Sequence, residues 1–150
     1  MYFKILYLGF KIYCFLFRPI RMGARVALIE DGSVWLVRHT YLGGWFMPGG
    51  GVQRWETLEE AARREAREET GAKPGRMIFA GVFTSFAQWK TDHTAVFLCE
   101  DFTFTGKPDA EIAELRLFPL GELPGDTYDV HRNFLQNFQA GAIQTNVGKW

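Results

Sequence analysis

Residues 50–72 read GGVQRWETLEEAARREAREETGA, and the second half of this stretch has the pattern of an amphipathic helix. At about 100° per residue, Glu65, Glu68 and Glu69 fall on one side of a helix over residues 57–70. The same side carries three apolar residues, Leu58, Ala61 and Ala62. The spacing therefore predicts a helix with three carboxylates on the face that it buries in the protein.

Three carboxylates on a buried face repel one another and lose hydration, so they stay ionised only beside a compensating cation. Oxygen ligands at positions i, i+3 and i+4 suit Mg²⁺ or Mn²⁺ rather than zinc. The preceding segment, Pro48-Gly49-Gly50-Gly51, lets a ligand approach the backbone closely. Together the helix and the segment predict a metal and phosphate site. Taken separately, a solvated charged face and a tight turn are the alternatives.

Gly50, Glu56 and the run from Arg64 to Ala72 resemble the Nudix box, G-x5-E-x7-R-E-U-x-E-E-x-G-U. All seven invariant letters match at the required spacing, and alanine occupies both U positions. The resemblance extends over about residues 23–138 and includes VWLVRHT, WFMPGGG and EIAELRLFPLGELP. It implies an α/β fold in which a mixed sheet forms the centre of an α/β/α sandwich.

The resemblance also implies roles in catalysis. Glu68 and Glu69 are expected to bind the metal together with the carbonyl group of Gly49, and Glu65 is expected to be the base or a further ligand. Many family members add an acidic residue from a later loop, for which Glu111 is the first candidate and Glu114 the second. Four box residues are expected to be structural: Gly50, Glu56, Arg64 and Gly71. An ion pair is expected between Glu56 and Arg64.

By the same resemblance, the chain is predicted to hydrolyse the pyrophosphate linkage of a nucleoside diphosphate joined to another moiety, with Mg²⁺ or Mn²⁺ as cofactor. ADP-ribose hydrolases of the family are similar to one another in a proline downstream of the box, and dinucleoside polyphosphate hydrolases in a tyrosine there. Residues 86–90 contain neither. A nucleoside triphosphate is then the leading substrate class, and a module that binds a nucleotide without hydrolysing it is the alternative.

Arginines and aromatic residues near the box are candidates for holding the substrate. Arginine suits phosphate oxygens, and aromatic rings stack on planar bases. Surface arginines and core aromatics are the alternative interpretation. The arginine candidates are Arg38 and Arg54, and the aromatic candidates are Trp45, Phe86 and Trp89.

The formal net charge of zero arises because a basic segment offsets an acidic one. Residues 1–29 contain five basic residues and no acidic one, whereas residues 30–150 contain 12 basic and 17 acidic residues. The seven-residue spacing of Lys4, Lys11 and Arg18 indicates an amphipathic helix over residues 2–17. Its predicted apolar face consists of Phe3, Leu6, Phe10, Cys14 and Phe17. Three interpretations remain open: docking on its own domain or a twin subunit, anchoring on anionic lipid, or a poorly ordered end.

The rest of the chain is predicted to form one domain at residues 21–140, after the helical segment 1–20 and before a loose tail at 141–150. Strands are expected at 24–30 and 33–38, joined by a turn at Asp31-Gly32, and at 77–86, 94–104 and 114–118. A second helix is expected at 128–139.

The charge balance and the cysteines exclude several classes. A chain without net positive charge is not typical of a polybasic nucleic-acid binder. Cys14 and Cys99 are far apart in sequence, which disfavours a zinc site or a disulfide scaffold. We therefore expect a cytoplasmic protein whose partner is a small-molecule diphosphate, with no nucleic acid, and a homodimer stays open.

Overall fold

The computed structural model describes residues 2–87, 89–142 and 146–149, and in it a seven-stranded mixed sheet lies between helices. This arrangement confirms the predicted α/β/α sandwich. The elements in chain order are α1 (Tyr2–Phe17), β1 (Ile20–Glu30), β2 (Ser33–His39), β3 (Gly49–Gly51), α2 (Leu58–Thr70), β4 (Ala72–Pro74), β5 (Ile78–Ala87), β6 (Lys90–Cys99), β7 (Phe102–Phe104), β8 (Ile112–Pro119), a short 3-10 turn (Leu120–Glu122), α3 (Asp129–Gln139) and β9 (Asn146–Lys149).

The main sheet has the order β8-β2-β1-β6-β5-β9, and β3 pairs with the first half of β1. Strand β1 runs parallel to β6, and β5 runs parallel to β9, whereas the other pairs are antiparallel. The predicted hairpin is confirmed, because Asp31 and Gly32 connect β1 to β2 with φ values of 47° and 73°. Strands β4 and β7 form a separate two-stranded sheet.

Alternate residues of β1 face the two helical layers, as the pleat of a strand requires. Val26 and Leu28 pack with Ala66 of α2 on one side of the sheet. Ala27 and Ile29 pack on the other side, in a cluster that includes Phe134 and Leu135 of α3. The small side chains of α2 let this helix lie close to the sheet, and β1 therefore passes directly beneath the box residues.

Two sequence predictions are wrong in detail. The strand expected over residues 94–104 is divided, because Asp101 accepts hydrogen bonds from the N–H groups of Gly75 and Arg76 and turns the chain away from the sheet. The tail expected to be loose contains β9, which covers the open edge of β5 and satisfies backbone groups there. The tail residues 143–145 and 150 lie outside the described residues, and the predicted division into domains stays a prediction.

Helix α1 has the predicted bounds, and its predicted contact face is right for Phe10 and Cys14 only. It meets the domain through Tyr7, Phe10 and Cys14, whereas Leu6 and Phe17 of the predicted face are exposed. The side chain of Phe3 lies outside the described part. The docked position agrees with the interpretation that the helix packs on its own domain. None of the described helices combines the length and the apolar character needed to cross a membrane.

Candidate active site

Helix α2 is fixed at both ends by local signals in the sequence. The Thr57 hydroxyl accepts a hydrogen bond from the Glu60 N–H at 3.2 Å, and the Glu60 carboxylate accepts one from the Thr57 N–H at 2.8 Å. This reciprocal capping box satisfies two backbone donors that the first turn leaves open. Gly71 ends the helix with φ 75°, and its N–H donates to the Arg67 carbonyl oxygen.

Glu69 is the most deeply buried carboxylate of the box, with 7% of the residue exposed. Its Oε2 accepts a hydrogen bond from the Gly49 N–H at 2.9 Å, and its Oε1 lies 3.8 Å from His39 Nε2. Burial raises the pKa of Glu69 to about 8, against the opposing effects of Arg25 and of the Gly49 N–H. Glu69 therefore ionises fully at neutral pH only with more positive charge than the surrounding residues supply.

The glycines of β3 allow the backbone to reach these carboxylates. Gly49 has φ 149°, and a Cβ atom there would lie 2.3 Å from the carbonyl oxygen of Ala24 in β1. A Cβ atom on Gly50 would lie 2.5 Å from Oε1 of Glu65. A side chain at Gly49 would push β3 away from β1, and one at Gly50 would displace the Glu65 carboxylate, so both positions require glycine for the observed packing.

Glu65 and Glu68 share one cation, the guanidinium of Arg64. Arg64 Nη1 lies 2.6 Å from Glu65 Oε1 and 3.1 Å from Glu68 Oε2. Burial raises the pKa of Glu65, and Arg64 opposes that shift. The Glu65 side chain is 12% exposed, but that of Glu68 is 49% exposed. The prediction of three buried carboxylates therefore holds for Glu65 and Glu69 and is wrong for Glu68, which lies at the rim.

Arg64 also joins α2 to the loop that precedes it. Its Nε and Nη2 atoms donate to the two carboxylate oxygens of Glu56 at 2.7 and 3.0 Å, and Nη2 donates to the Gly51 carbonyl oxygen at 3.0 Å. The bond to Glu56 raises the pKa of Arg64, and the bond from Arg64 lowers the pKa of Glu56. The expected ion pair is thus present with bidentate geometry.

Arg25 in β1 is a site residue that the sequence interpretation missed. It is a cation within an apolar strand, and its Nη1 donates to the Met47 carbonyl oxygen at 2.5 Å. Burial lowers the pKa of Arg25, while the charges of Glu69 and Glu65 oppose that shift. Arg25 therefore supplies positive charge to the inner carboxylates. The sequence signal for this residue is a single charged side chain within the otherwise apolar run ARVALI.

The donor set is chemically suited to Mg²⁺ or Mn²⁺, because it offers carboxylate oxygens of one helix beside the Gly49 backbone. In the part of the chain that the structure describes, no three His, Cys, Asp or Glu side chains converge on one point as they stand. The reason is visible in the contacts, since Arg64 holds Glu65 and Glu68 while the Gly49 N–H holds Glu69. Side-chain rotation away from Arg64 would free two of these carboxylates.

Asp109 bonds directly to the backbone of the box helix, whereas no such bond joins the predicted acid Glu111 to the described part of this helix. The Asp109 N–H donates to the Glu68 carbonyl oxygen at 2.8 Å. Burial lowers the pKa of His39 to about 4, and the Asp109 charge opposes that shift. Glu111 is exposed, and its charge acts on the pKa of Tyr41, which burial raises to about 12. The second candidate, Glu114, pairs with Arg116 on β8. A catalytic acid from this loop stays a prediction, and Asp109 joins Glu111 and Glu114 as a candidate because its backbone bonds to the box helix.

A cavity of about 620 Å³ adjoins Arg25 on the α3 side of the sheet. Its walls combine aromatic rings with positive charge, and α1 supplies one wall. The lining includes Tyr7 and Phe10 of α1, Arg21 of β1, Tyr41, Lys90 of β6, and Tyr128. The Arg21 guanidinium lies 5.0 Å from the centre of the Phe10 ring, which fixes the helix against the cavity.

None of the predicted substrate residues is among those that line this cavity. Arg38 pairs with Asp126 at 3.0 Å and lies 4.5 Å from the centre of the Trp45 ring, and Trp45 is buried in the core. Trp89 packs edge-on against Phe15 of α1, with ring centres 5.3 Å apart. The other two candidates are exposed, one in the loop after β3 and one on β5: Arg54 and Phe86.

Comparison with known proteins places the chain in context. It is 37% identical over 71 residues to an RNA pyrophosphohydrolase of Xanthomonas campestris, a match that covers 47% of this chain. The match spans only 35% of the length of that protein. It is 29% identical over 114 residues to an ADP-ribose pyrophosphatase of Methanocaldococcus jannaschii, covering 73% of this chain and 67% of that protein.

Solved structures give the same picture for the fold. A MutT NUDIX hydrolase from Burkholderia pseudomallei is 28% identical, with a TM-score of 0.68 over 78% of this chain and 96% of that chain. A MutT protein from Methanosarcina mazei is 25% identical, with a TM-score of 0.70 over 83% of this chain and 96% of that chain. Residues 19–138 match the NUDIX domain, and the chain therefore belongs to the Nudix family.

Proposed function

We propose that this chain is a divalent-metal-dependent hydrolase of pyrophosphate linkages. Its substrate is a nucleoside diphosphate joined to another moiety, with a nucleoside triphosphate as the leading class. The observation that carries this proposal is the position of Glu65 and Glu69, which α2 holds out of solvent beside Gly49 and Gly50. Largely buried carboxylates next to a glycine backbone segment are suited to bind a divalent cation.

Glu68, Glu69 and the Gly49 carbonyl group would hold the metal, with Glu65 as ligand or base. A bound Mg²⁺ would neutralise phosphate oxygens and acidify a coordinated water molecule. Glu65 is better placed than Glu111 to accept the proton of the attacking water, because Glu65 lies inside the box beside Arg64 whereas Glu111 is exposed. Arg64 would keep the loop and the helix in register while the carboxylates bind the metal.

The cavity beside Arg25 would hold the rest of the substrate. Tyr7, Phe10 and Tyr41 offer aromatic surface for a planar group, and Arg21 and Lys90 offer positive charge for phosphate oxygens. We propose these residues for substrate binding in place of Trp45 and the other predicted residues, because the predicted residues do not line the cavity. The cavity suits a small molecule, in keeping with the expected class of partner.

The expected compartment and assembly stay proposals. Cys14 and Cys99 are both buried free thiols, which suits a reducing cytosol. A homodimer remains a prediction from the sequence.

Hydrolysis of a substrate panel, with and without Mg²⁺, tests the function. The panel contains nucleoside triphosphates, ADP-ribose, a dinucleoside polyphosphate and an oligoribonucleotide with a 5′-triphosphate. We expect Glu68→Gln to lower kcat by at least about 100-fold, because a metal ligand is lost while the half-exposed position keeps the fold intact. Glu59→Gln is the matched control, since Glu59 lies on the same helix and pairs with Arg63.

The proposal fails if wild type cleaves no member of the panel or if Glu68→Gln keeps full activity. Tight nucleotide binding without turnover would instead establish the binding module. Product identification by mass spectrometry then assigns the bond that is cleaved.

A further inference from the structure

The side of α1 that faces away from the domain is a continuous apolar surface. Tyr7, Phe10 and Cys14 lie on the inner side of the helix. Four residues on the opposite side are each between 55% and 65% exposed, and we call them the outer face: Ile5, Leu8, Ile12 and Leu16. Further exposed apolar residues flank them, namely Leu6, Tyr13, Phe15 and Phe17. An exposed patch of this kind marks an interaction site.

The charges around this patch are all positive in the sequence. Lys11 and Arg18 are both exposed, and the first acidic residue of the chain is Glu30. The Lys11 Nζ lies 4.8 Å from the centre of the Tyr7 ring, which places it at the border between the inner side of α1 and the outer face. A cation at this border can extend its stem along an apolar surface and keep its charge in water.

This charge pattern selects between the two occupants that an apolar helix face commonly has. A second copy of the chain in a two-fold contact would bring the same cations of both helices together without acidic partners from the helix. An anionic lipid surface offers the opposite charge and also accepts the apolar face. The observations therefore favour lipid over a twin subunit.

The dimensions of α1 fit a helix that lies in the plane of the interface. Its 16 residues give a length of roughly 24 Å at about 1.5 Å per residue. Its contacts with the domain stay intact in that orientation, since Cys14 is buried and Phe15 packs on Trp89 from the flank. Docking then requires neither unfolding of α1 nor its removal from the cavity wall.

We propose that α1 binds the protein peripherally to an anionic bilayer surface through the outer face, with Lys11 and Arg18 at the level of the lipid headgroups. This inference does not depend on the hydrolase activity, because it concerns the side of the helix that faces away from the cavity. It assigns a lipid-binding surface to the helix that precedes the matched domain.

Sedimentation of the full chain with vesicles tests this proposal. Phosphatidylglycerol vesicles are compared with phosphatidylcholine vesicles, at low salt and at high salt. The double variant Ile12→Glu/Leu16→Glu places two negative charges on the outer face. Ile78→Glu is the matched control, because Ile78 is a similarly exposed apolar residue, 54%, on β5.

We expect wild type and Ile78→Glu to bind phosphatidylglycerol vesicles equally. Binding should fall by about tenfold or more for the double variant, for phosphatidylcholine and at high salt, because both apolar insertion and anionic attraction contribute. Absence of binding by wild type, or equal binding by wild type and the double variant, would overturn the proposal.

Light scattering after size-exclusion chromatography measures the molar mass and so tests whether a second copy of the chain covers the outer face. A dimer that the double variant dissociates, combined with no vesicle binding, would show that the outer face joins two copies and that the lipid proposal is wrong. Circular dichroism of the double variant checks that the protein is folded. Hydrolysis without vesicles should be the same in wild type and the double variant, so this result is independent of the proposed function.

Discussion

The ion pair between Arg64 and Glu56 is expected to be a strong stabilising contact of the box. The two side chains are only 16% and 14% exposed, and two parallel hydrogen bonds of 2.7 and 3.0 Å join them. The perturbation is a double-mutant cycle made from Arg64→Met, Glu56→Gln and the combined variant. A second cycle on Arg63→Met and Glu59→Gln provides the control within the same helix.

The two ion pairs are expected to differ in coupling free energy, because they differ in burial and geometry. A hydrogen bond to a charged group contributes about 1.5–3 kcal/mol, and the desolvation of this half-buried pair offsets part of two such bonds. We therefore expect a coupling free energy of about 2–3 kcal/mol for Arg64 and Glu56. The Arg63–Glu59 pair is an i,i+4 pair whose side chains are 28% and 53% exposed, and such pairs couple by about 0.3–0.5 kcal/mol.

Urea unfolding in the presence of a chelator measures both cycles without a contribution from bound metal. Arg64→Met should cost more than Glu56→Gln, because it also removes the bonds to Gly51, Glu65 and Glu68. A coupling below about 1 kcal/mol for Arg64 and Glu56, or equal coupling in the two cycles, would show that this ion pair is not a strong stabilising contact. It would mean that the loop and α2 hold their register through backbone packing alone.

Three further outcomes follow from the site and the core. Steady-state kinetics of Tyr7→Ala should show a KM raised by about tenfold with kcat nearly unchanged, because the ring contacts bound substrate and not the reacting atoms; an unchanged KM would remove α1 from the binding site. Asp109→Asn should lower kcat by about 10–100-fold, whereas Glu111→Gln should leave it unchanged. A larger loss of kcat in Glu111→Gln than in Asp109→Asn would favour Glu111 as the catalytic acid. Burial lowers the pKa of His131 well below its usual value. Below about pH 6.5 the unfolded state therefore binds a proton that the folded state does not bind. The free energy of unfolding then falls by up to about 1.4 kcal/mol per pH unit. Denaturant melts of wild type and His131→Gln between pH 7 and pH 5 should show a smaller loss in the variant, and equal slopes would contradict the assignment.

The sequence was sufficient for α2 because its signals are local. Thr57 and Glu60 cap the first turn, and Gly71 ends the last one, so the helix begins and ends as predicted. The exposure of Glu68 was not predictable in the same way, since a wheel gives relative angles but not the direction of the sheet. The buried arc of α2 centres near Glu69 and Ala62, and at about 100° per residue Glu68 lies beyond its edge.

The position of Arg38, beside Trp45 and away from the box, has a related cause. Side chains alternate across a strand, but β2 has buried residues on both faces, so the pattern does not say which neighbour points to the box. Leu36 packs in the α3-side cluster with Trp45, and Arg38 follows it to the Trp45 ring. His39 has the other parity and lies beside Glu69. Charge alone suggested the arginine, whereas strand parity places the histidine at the site.

The two arginines of the site explain how an acidic box is compatible with a folded core. Arg64 lies inside the motif and is readable from spacing, whereas Arg25 comes from a strand nearly forty residues earlier and reaches the carboxylates only through the sheet. Between them they offer two positive charges to four box carboxylates, because Arg64 also pairs with Glu56. The remaining imbalance falls on Glu69, the residue with the least access to solvent, because Arg64 is engaged by the other three. A cation that enters the site therefore offsets the largest burial cost at Glu69, the innermost carboxylate, next to the Gly49 backbone.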